Sequence, residues 1–321
     1  VISGSSKNLT KTGTGTVILR GTNTYSGTTT VSAGTLNIGG SGSLGSGTYA
    51  GNISNSGTFT YASSTAQTLS GVISGSGALT KSGSSTLTLS GTNTYSGDTT
   101  ISAGAITVSG LLGNGTYAGG ISNAGTLTLS SSSAQTLSGA ISGSGGITKS
   151  GSGNLTLSGS SNFTGAIALS NGTLIAGADN ALGSSPTITA SNTPTFKTTS
   201  GTTLPSISVT GDVILESSVK TTGAQTYNDN VTVKGTGFSL ITSNNNITIG
   251  GNLAAYNITG ILQLRYDGKY IFNGASEATA SGSSTSDGNG SLTYSSNNLI
   301  IFKSRCIPLW HFCCIIIFKN E

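Results

Sequence analysis

Apolar and polar residues alternate in short stretches along most of this chain. Clear examples are Leu87-Thr88-Leu89, Leu127-Thr128-Leu129 and Leu155-Thr156-Leu157, and Gly, Ser or Thr residues separate such stretches. Alternation with a period of two predicts short half-buried β-strands, and the Gly and Ser residues predict the turns between them. No stretch of ten or more residues has its apolar residues at helical spacing, so the pattern predicts an all-β chain.

The alternating pattern is itself repeated along the chain. Residues 9–38 read LTKTGTGTVILRGTNTYSGTTTVSAGTLNI, residues 79–108 read LTKSGSSTLTLSGTNTYSGDTTISAGAITV, and a third copy begins at Ile147. Similar segments at a nearly fixed spacing are typical of stacked repeat architectures. We therefore predict a right-handed parallel β-helix, or solenoid, built from ~69-residue repeats of about three rungs, each of roughly 23 residues. A Greek-key sandwich or a propeller stays open as an alternative.

The composition agrees with stacked rungs. Charged residues make up 7% of the chain and Gly supplies 50 of its 321 residues. Disorder is the other reading of such a composition, but disordered chains normally have high net charge and few β-branched residues. In a solenoid, like charges stacked ~4.8 Å apart would repel. We expect stacked Thr and Asn to hydrogen-bond to their own copies in the turns above and below.

The formal net charge of +4 is spread thinly. Nucleic-acid-binding proteins cluster their basic residues, so we expect no nucleic-acid partner. Lys11, Lys81 and Lys149 occupy the same position in the three copies. If three rungs separate them, they should line up on one side about 14 Å apart, and we interpret them as solvated turn lysines.

Three segments differ in composition. Residues 1–178 hold the repeats, and residues 179–299 are predicted to continue the β-helix with degenerate rungs, with strands at Val213–Leu215, Val231–Val233 and Ile247–Ile249. Residues 300–321 hold every Cys, the single Trp and the single His. Two alternatives are a membrane anchor and a metal site. The apolar run is too short to span a bilayer core, which needs about 20 residues, and Cys306, His311 and Cys313 do not have structural zinc spacing. We interpret this tail as an out-of-frame product.

Candidate catalytic groups are scarce. A Ser-His-Asp arrangement requires a histidine, and the only one is His311 in the tail. Asp212 and Glu216 lie four residues apart, so alternation places them on the same side of a strand, where we interpret them as solvated charges. We expect no catalytic residues, no metal and no cofactor. The alternative is a carbohydrate-active β-helix enzyme, a polysaccharide lyase or a glycosidase, with its site in residues 179–291.

Length variation between copies marks two loops. The copies start at Leu9, Leu79 and Ile147, so the second spacing is slightly shorter than the first. The difference arises where residues 39–48 of one copy correspond to the shorter segment 109–115 of the next. Loops vary in length and carry binding residues more often than regular elements do. We therefore predict binding loops, with candidate contact residues Gly40, Ser43, Leu44, Leu111 and Asn114.

The pattern L-T-K-x-G-x-G-x-L-x-L-x-G-x-N-x-Y-x-G-x-T-x-I-x-x-G-x-L resembles the autotransporter-associated β-strand repeat, found in the passenger regions of secreted bacterial surface proteins. The third copy departs from it at Phe163, Ala166 and Ala168. The resemblance covers residues 1–178 and implies a right-handed parallel β-helix passenger, exported by a signal and an outer-membrane translocator to the surface of a Gram-negative bacterium. It implies a non-enzymatic function in adhesion or aggregation, or as a display stalk, with a host or neighbouring-cell surface, glycans or matrix as partners.

Self-association is a further expectation. The first residues, Val1 to Gly4, match the repeat sequence Val72-Ile73-Ser74-Gly75, so the chain begins inside a repeat. Open rungs expose unpaired backbone groups that can pair with another chain. We therefore expect end-to-end association of this chain.

Overall fold

Short strands follow one another around a common core in the computed structural model. Strand Leu9–Lys11 pairs in parallel with Thr29–Val31 of the next turn, and Ile53 likewise lies opposite Ile73. Each turn of the chain supplies strands to three different sheets. The predicted parallel β-helix is therefore confirmed. Most turns contain roughly 20 residues and are shorter than predicted. The turn from Thr29 to Ile53, its partner in the next turn, is longer and has about the predicted length.

The structure describes residues 1–235, 238–243, 245, 247–251 and 253–256, together with five later strands: Ile261–Arg265, Tyr270–Phe272, Ser284–Ser286, Leu292–Tyr294 and Cys313–Ile317. The chain divides into two units, the first Val1–Ala168 and the second Leu169–Glu321. Each unit is described by itself below.

The strands up to Ile167 are short, mostly of two to four residues. They are β1 (Leu9–Lys11), β2 (Thr16–Leu19), β3 (Thr22–Asn23), β4 (Thr29–Val31), β5 (Thr35–Gly40), β6 (Ser43–Leu44), β7 (Thr48–Tyr49), β8 (Ile53–Asn55), β9 (Thr58–Ser63), β10 (Gln67–Leu69), β11 (Ile73–Ser74), β12 (Ala78–Lys81), β13 (Thr86–Leu89), β14 (Thr99–Ile101), β15 (Ala105–Val108), β16 (Thr116–Tyr117), β17 (Ile121–Asn123), β18 (Thr126–Leu129), β19 (Gln135–Leu137), β20 (Ile141–Ser142), β21 (Gly146–Lys149) and β22 (Leu155–Leu157). Two 3₁₀ turns, Gly45–Gly47 and Gly113–Gly115, complete this set.

The later strands are equally short. They are β23 (Ile167–Leu169), β24 (Thr173–Ala176), β25 (Thr187–Ala190), β26 (Thr195–Thr198), β27 (Ile207–Thr210), β28 (Val213–Leu215), β29 (Val219–Thr221), β30 (Gln225–Tyr227), β31 (Val231–Lys234), β32 (Ser239–Thr242), β33 (Ile247–Ile249), β34 (Leu253–Tyr256), β35 (Ile261–Arg265), β36 (Tyr270–Phe272), β37 (Ser284–Ser286), β38 (Leu292–Tyr294) and β39 (Cys313–Ile317). The predicted strands at Val213, Val231 and Ile247 are present as β28, β31 and β33.

In the first unit, the order of pairing defines the three faces of the solenoid. One face consists of β1-β4-β8-β11 and, further along, β16-β19-β22. The second face is β2-β5-β9-β12-β14-β17-β20, and the third includes β7-β10-β13-β15-β18-β21. Parallel pairing throughout these ladders satisfies the backbone groups of each turn on its neighbours.

The repeat does not close after a whole number of turns. Its first strand lies on the first face in copy one (β1, paired with β4), on the second in copy two (β12, paired with β9) and on the third in copy three (β21, paired with β18). One repeat is therefore three turns plus one face. Equivalent residues of successive copies consequently face different directions, and the expected row of three lysines on one side is wrong.

Inward-facing apolar residues stack from turn to turn and form the core. In the first unit, Leu87, Ile106, Leu127 and Ile147 follow one another in register, and each is at most 1% exposed. Every such residue removes its apolar area from water against its copies above and below, and this burial is the main favourable contribution to folding.

The second unit has the same construction with a less regular sequence. Its ladders are β25-β27-β30-β33-β36, β24-β26-β28-β31-β34 and β29-β32-β35. Phe196 stacks on Leu215, and Leu215 on Val233, all with no exposed area. Strand β39 pairs antiparallel with β35, and β37 pairs antiparallel with β38.

Candidate functional surface

The repeat lysines are buried and hold the corners between strands. Lys11 is 5% exposed, and its Nζ donates hydrogen bonds to the backbone oxygens of Thr12 at 2.8 Å, Gly13 at 2.7 Å and Ala33 at 3.0 Å. Ala33 belongs to the next turn, so the ammonium joins two turns. The expectation of solvated turn lysines is wrong: the alternation in Leu9-Thr10-Lys11 places the lysine on the same side as the buried leucine, a signal already present in the sequence.

The other two copies repeat this arrangement. Lys81 donates to the carbonyl oxygens of Gly83 and Ala103, and its Nζ lies 5.9 Å from the centre of the Tyr61 ring. Lys149 donates to the carbonyl of Gly151. Burial lowers the pKa of Lys81 and of Lys149, because it disfavours the charged form. These ammonium groups therefore act as structural clamps that hydrogen-bond backbone carbonyls at the corners.

Buried amides replace strand pairing where the backbone leaves the ladder. Gln135 Oε1 accepts a hydrogen bond from the backbone N–H of Leu112 at 2.8 Å, and its Nε2 donates to the Leu112 carbonyl at 3.0 Å. Gln67 makes the same pair of bonds with Leu44 one repeat earlier. Similarly, Asn93 Oδ1 accepts from the N–H of Ile73 at 2.9 Å. These side chains satisfy backbone groups that the loops would otherwise leave unpaired.

A hydroxyl cluster fills the same corner in the first two copies. The Thr29 hydroxyl oxygen lies 2.8 Å from the Tyr25 hydroxyl and 2.7 Å from the Tyr49 hydroxyl. The two tyrosine rings meet edge to face, with their centres 5.4 Å apart. Tyr95, Thr99 and Tyr117 form the same cluster in copy two. Burial raises the pKa of Tyr117 to about 12, and it raises the pKa of Tyr25 and Tyr95 as well.

The predicted loop residues are distributed between surface and core. Gly40 and Asn114 are exposed, Leu111 is half-buried, and Ser43 and Leu44 are buried, at 3% and 0% exposure. The loops end alike: Ser46 and Asn114 both have positive φ inside a Gly-x-Gly turn. The extra residues of the first loop lengthen β5, whose Gly39 and Gly40 pair with Ala62 and Ser63. Ligand binding by these loops stays a prediction.

The described carboxylates of the alternative enzyme site form an ion pair or hydrogen bonds with residues of neighbouring turns. Glu216 forms a 2.7 Å ion pair with Lys197. Asp212 accepts hydrogen bonds from the backbone N–H and the Nδ2 of Asn230, and Asp179 and Asp229 each accept one from a backbone N–H. The other acids of residues 179–291, namely Asp267, Glu277 and Asp287, lie outside the described residues.

The described part of the chain holds neither a metal-binding cluster nor a membrane-spanning helix. No group of three or more His, Cys, Asp or Glu side chains there is placed to hold a metal ion. No helix among those residues is long and apolar enough to cross a membrane. The predicted out-of-frame tail, residues 300–321, lies outside the described residues except for Cys313–Ile317.

The outer faces of the first unit present hydroxyl groups in register. On the third face, Thr68, Thr88 and Thr107 lie one above another. On the second face, Thr60, Thr80 and Thr100 do the same. In neither column does a threonine hydroxyl bond to its copy in the next turn, because the ~4.8 Å spacing exceeds hydrogen-bonding distance. The expected threonine ladders of hydrogen bonds are wrong, and the hydroxyls face outward.

Comparison with known proteins identifies the repeat. A family model described as passenger-associated-transport-repeat matches the chain three times, over residues 9–38, 79–108 and 147–176. These are the copies defined by the sequence pattern, so the predicted autotransporter-type repeat is confirmed. Searches of curated proteins and of solved structures gave no significant match.

Proposed function

Because the chain carries three passenger-associated transport repeats in a parallel β-solenoid, we propose that it is a passenger segment of a secreted bacterial surface protein. It acts without catalysis, in adhesion or aggregation or as a stalk that displays another segment. The observation that supports this most directly is the three-fold match, since repeats of this family and the solenoid fold fit an autotransporter passenger. Such repeats imply a surface-exposed protein of a Gram-negative bacterium.

The chemistry of the described residues favours a scaffold over an enzyme. The buried lysines, amides and tyrosine hydroxyls hydrogen-bond within the fold, and the described acids of the second unit bond to backbone N–H groups or to Lys197. The surface that remains offers many similar hydroxyl groups and little charge. Adhesion through many weak contacts suits such a surface, because linked weak contacts add up to a high overall affinity.

Surface display tests this proposal. The full chain is placed between an export signal and an outer-membrane translocator, and display is followed with an external antibody and with added protease. We expect display together with increased cell clumping or attachment. A Leu127→Asp variant, which puts a charge into the buried column of the first unit, is the matched control and should be degraded during export.

A second measurement, on the purified chain, tests the enzyme alternative. Release of new reducing ends from soluble polysaccharides by the purified chain, abolished by Asp212→Asn with Glu216→Gln, would support a carbohydrate-active enzyme. Display with neither clumping nor attachment would leave the stalk as the function. Failure of the intact chain to reach the surface would contradict the proposal.

A further inference from the structure

One column of threonines runs along the third face of the first unit. Its members pair in register through six successive strands: Thr48, Thr68, Thr88, Thr107, Thr128 and Thr148. We call these six residues the threonine column. Thr48 is exposed and the other five are half-buried, so every side chain points outward between buried neighbours. At ~4.8 Å per turn the column is about 24 Å long.

The hydroxyls of the threonine column have no hydrogen-bond partner in the described part of the protein. Three serines that lie two residues after a column threonine differ from them, namely Ser70, Ser90 and Ser130. Ser70 Oγ donates to the Tyr49 carbonyl at 3.4 Å, and Ser130 Oγ donates to the Val108 carbonyl at 3.4 Å. The fold thus uses the serine hydroxyls weakly and leaves the threonine hydroxyls for an external partner.

The strip around the column is uncharged. Within the six strands that carry it, the single charged residue is Lys149, which is 2% exposed and hydrogen-bonds inward. A polyanion or a basic surface would find no countercharge there, so the complementary ligand is neutral.

The hydroxyl pattern on either side of the column favours a linear ligand. On one side of the column the outward residues are Thr86, Ala105, Thr126 and Gly146, so hydroxyls are missing at every second turn. On the other side, serines continue the hydroxyls through five successive turns: Ser70, Ser90, Ser109, Ser130 and Ser150. The regular array is therefore long along the solenoid axis and only two residues wide across the strands.

We propose that the threonine column binds a neutral, extended β-1,4-linked glucan lying parallel to the solenoid axis. The inference rests on the proposed adhesive function and names the ligand of that surface. In an extended glucan of this linkage, the length of one sugar is close to the spacing between turns, so each threonine faces one sugar. Adjacent sugars are flipped relative to each other, so the same sugar hydroxyls recur at every second threonine. Each threonine hydroxyl can donate to and accept from a sugar hydroxyl, and its methyl group contacts the ring. The aromatic residues of the described first unit are buried, so contact is through hydroxyls rather than ring stacking.

Depletion of the purified full chain by microcrystalline cellulose tests the proposal, with insoluble α-linked starch as the comparison polymer. The variant Thr88→Val/Thr107→Val/Thr128→Val removes three hydroxyls and keeps the β-branched shape. The matched control, Thr60→Val/Thr80→Val/Thr100→Val, makes the same change in three consecutive turns of the second face. Resistance to protease verifies that both variants fold.

We expect cellulose to deplete the chain from solution, and we expect the chain to stay in solution in the presence of starch. The column variant should bind cellulose about tenfold to a hundredfold more weakly, and the control within about twofold of the parent. Equal loss in both variants, equal binding to starch, or no depletion by cellulose would overturn the proposal. In those cases the display assay, which needs no glucan, would still decide the proposed function separately.

Discussion

The hydroxyl of Tyr95 lies 2.8 Å from the hydroxyl of Thr99, and both residues are almost fully buried. In the third copy of the repeat, the equivalent positions hold Phe163 and Ile167, and both of these are also buried, at 2% and 0% exposure. The two hydroxyls are therefore present together or absent together. A buried polar pair is tolerated when both partners are present, whereas one partner alone is costly.

This relationship predicts strong coupling between the two residues. Thr99→Ile alone should cost about 1–3 kcal/mol of unfolding free energy, because it leaves the Tyr95 hydroxyl buried without a partner. Tyr95→Phe with Thr99→Ile should cost less than the sum of the single changes, by roughly 1 kcal/mol. Urea unfolding of the four proteins measures the coupling.

The control for this cycle pairs Thr99→Ile with Tyr61→Phe. The Tyr61 hydroxyl donates to the Thr65 carbonyl and takes no part in the cluster. These two changes should add. Additivity of the Tyr95 and Thr99 changes as well would contradict the coupling.

Much of the fold could be predicted from the sequence, because stacked alternation and a long repeat are both visible in one chain. The burial of Lys81 could have been predicted too, because the alternation in Leu79-Thr80-Lys81 places the lysine on the inward side with the leucine. The general rule that charged residues lie at the surface led to the opposite prediction, a solvated lysine. The carbonyls of Gly83 and Ala103 make its burial tolerable; Gly83 lies in the same turn, whereas Ala103 becomes a partner only when two turns are stacked.

The direction in which each copy faces could not be read from the repeat period. The spacing from Leu9 to Leu79 fits three turns of about 23 residues as well as three turns and one face at about 20 residues per turn. The choice depends on corner geometry, which Gln67 and Asn93 help to set through bonds to residues in neighbouring turns. Similarly, Leu44 lies in a segment of variable length, but the Gln67 amide holds it in the core.

The buried lysine clamp predicts that removing one ammonium destabilises the first unit. Lys81→Met keeps the aliphatic length but leaves the Gly83 and Ala103 carbonyls short of a donor. Relief of charge burial opposes this loss, since burial also lowers the pKa of Lys81, but two orphaned carbonyls outweigh it. We expect about 1–3 kcal/mol lower unfolding free energy, measured by urea unfolding.

The exposed Lys7 provides the matched control for the clamp. Lys7→Met should change stability by no more than about 0.5 kcal/mol, as is usual at the surface. A Lys81→Met protein as stable as the parent would show that the clamp contributes nothing.

The buried tyrosines predict a loss of stability in alkali. Burial raises the pKa of Tyr117 to about 12 and also raises the pKa of Tyr25, Tyr95 and Tyr227, while tyrosines of the unfolded chain ionise near pH 10. The stabilisation from keeping them protonated is complete below about pH 10 and is lost as the pH rises through the folded-state values.

The buried lysines change the stability in the opposite direction, at a lower pH than the tyrosines do. The lowered pKa of Lys81 and Lys149 means that stability rises with pH as these groups lose their protons, up to about pH 10.5. The tyrosines titrate later, so the net loss follows above that pH. We expect tyrosinate absorbance of the buried residues to appear together with loss of the far-ultraviolet circular dichroism signal. Tyrosinate from Tyr95 in a folded protein at pH 10 would contradict this.

A polypeptide of these 321 residues, taken by itself, is expected to self-associate through the edge of strand β2. Strand β2 is the outermost strand of its sheet, and Val17 and Ile18 are 41% and 43% exposed. Leu87, the equivalent of Val17 in copy two, has no exposed area because Gln67 and its neighbours cover it. An unpaired edge with apolar side chains can accept a strand from a second copy.

A charge at that edge should prevent the association. Ile18→Lys places an ammonium where an incoming strand would lie, which natural edge strands use to block pairing. Thr60→Lys is the matched control, because Thr60 belongs to the same outward column two turns further in, where Asn37 separates it from Ile18. Sedimentation velocity across a concentration series should show oligomers for the parent and for Thr60→Lys and a monomer for Ile18→Lys. A parent chain that stays monomeric at high concentration would exclude association through this edge.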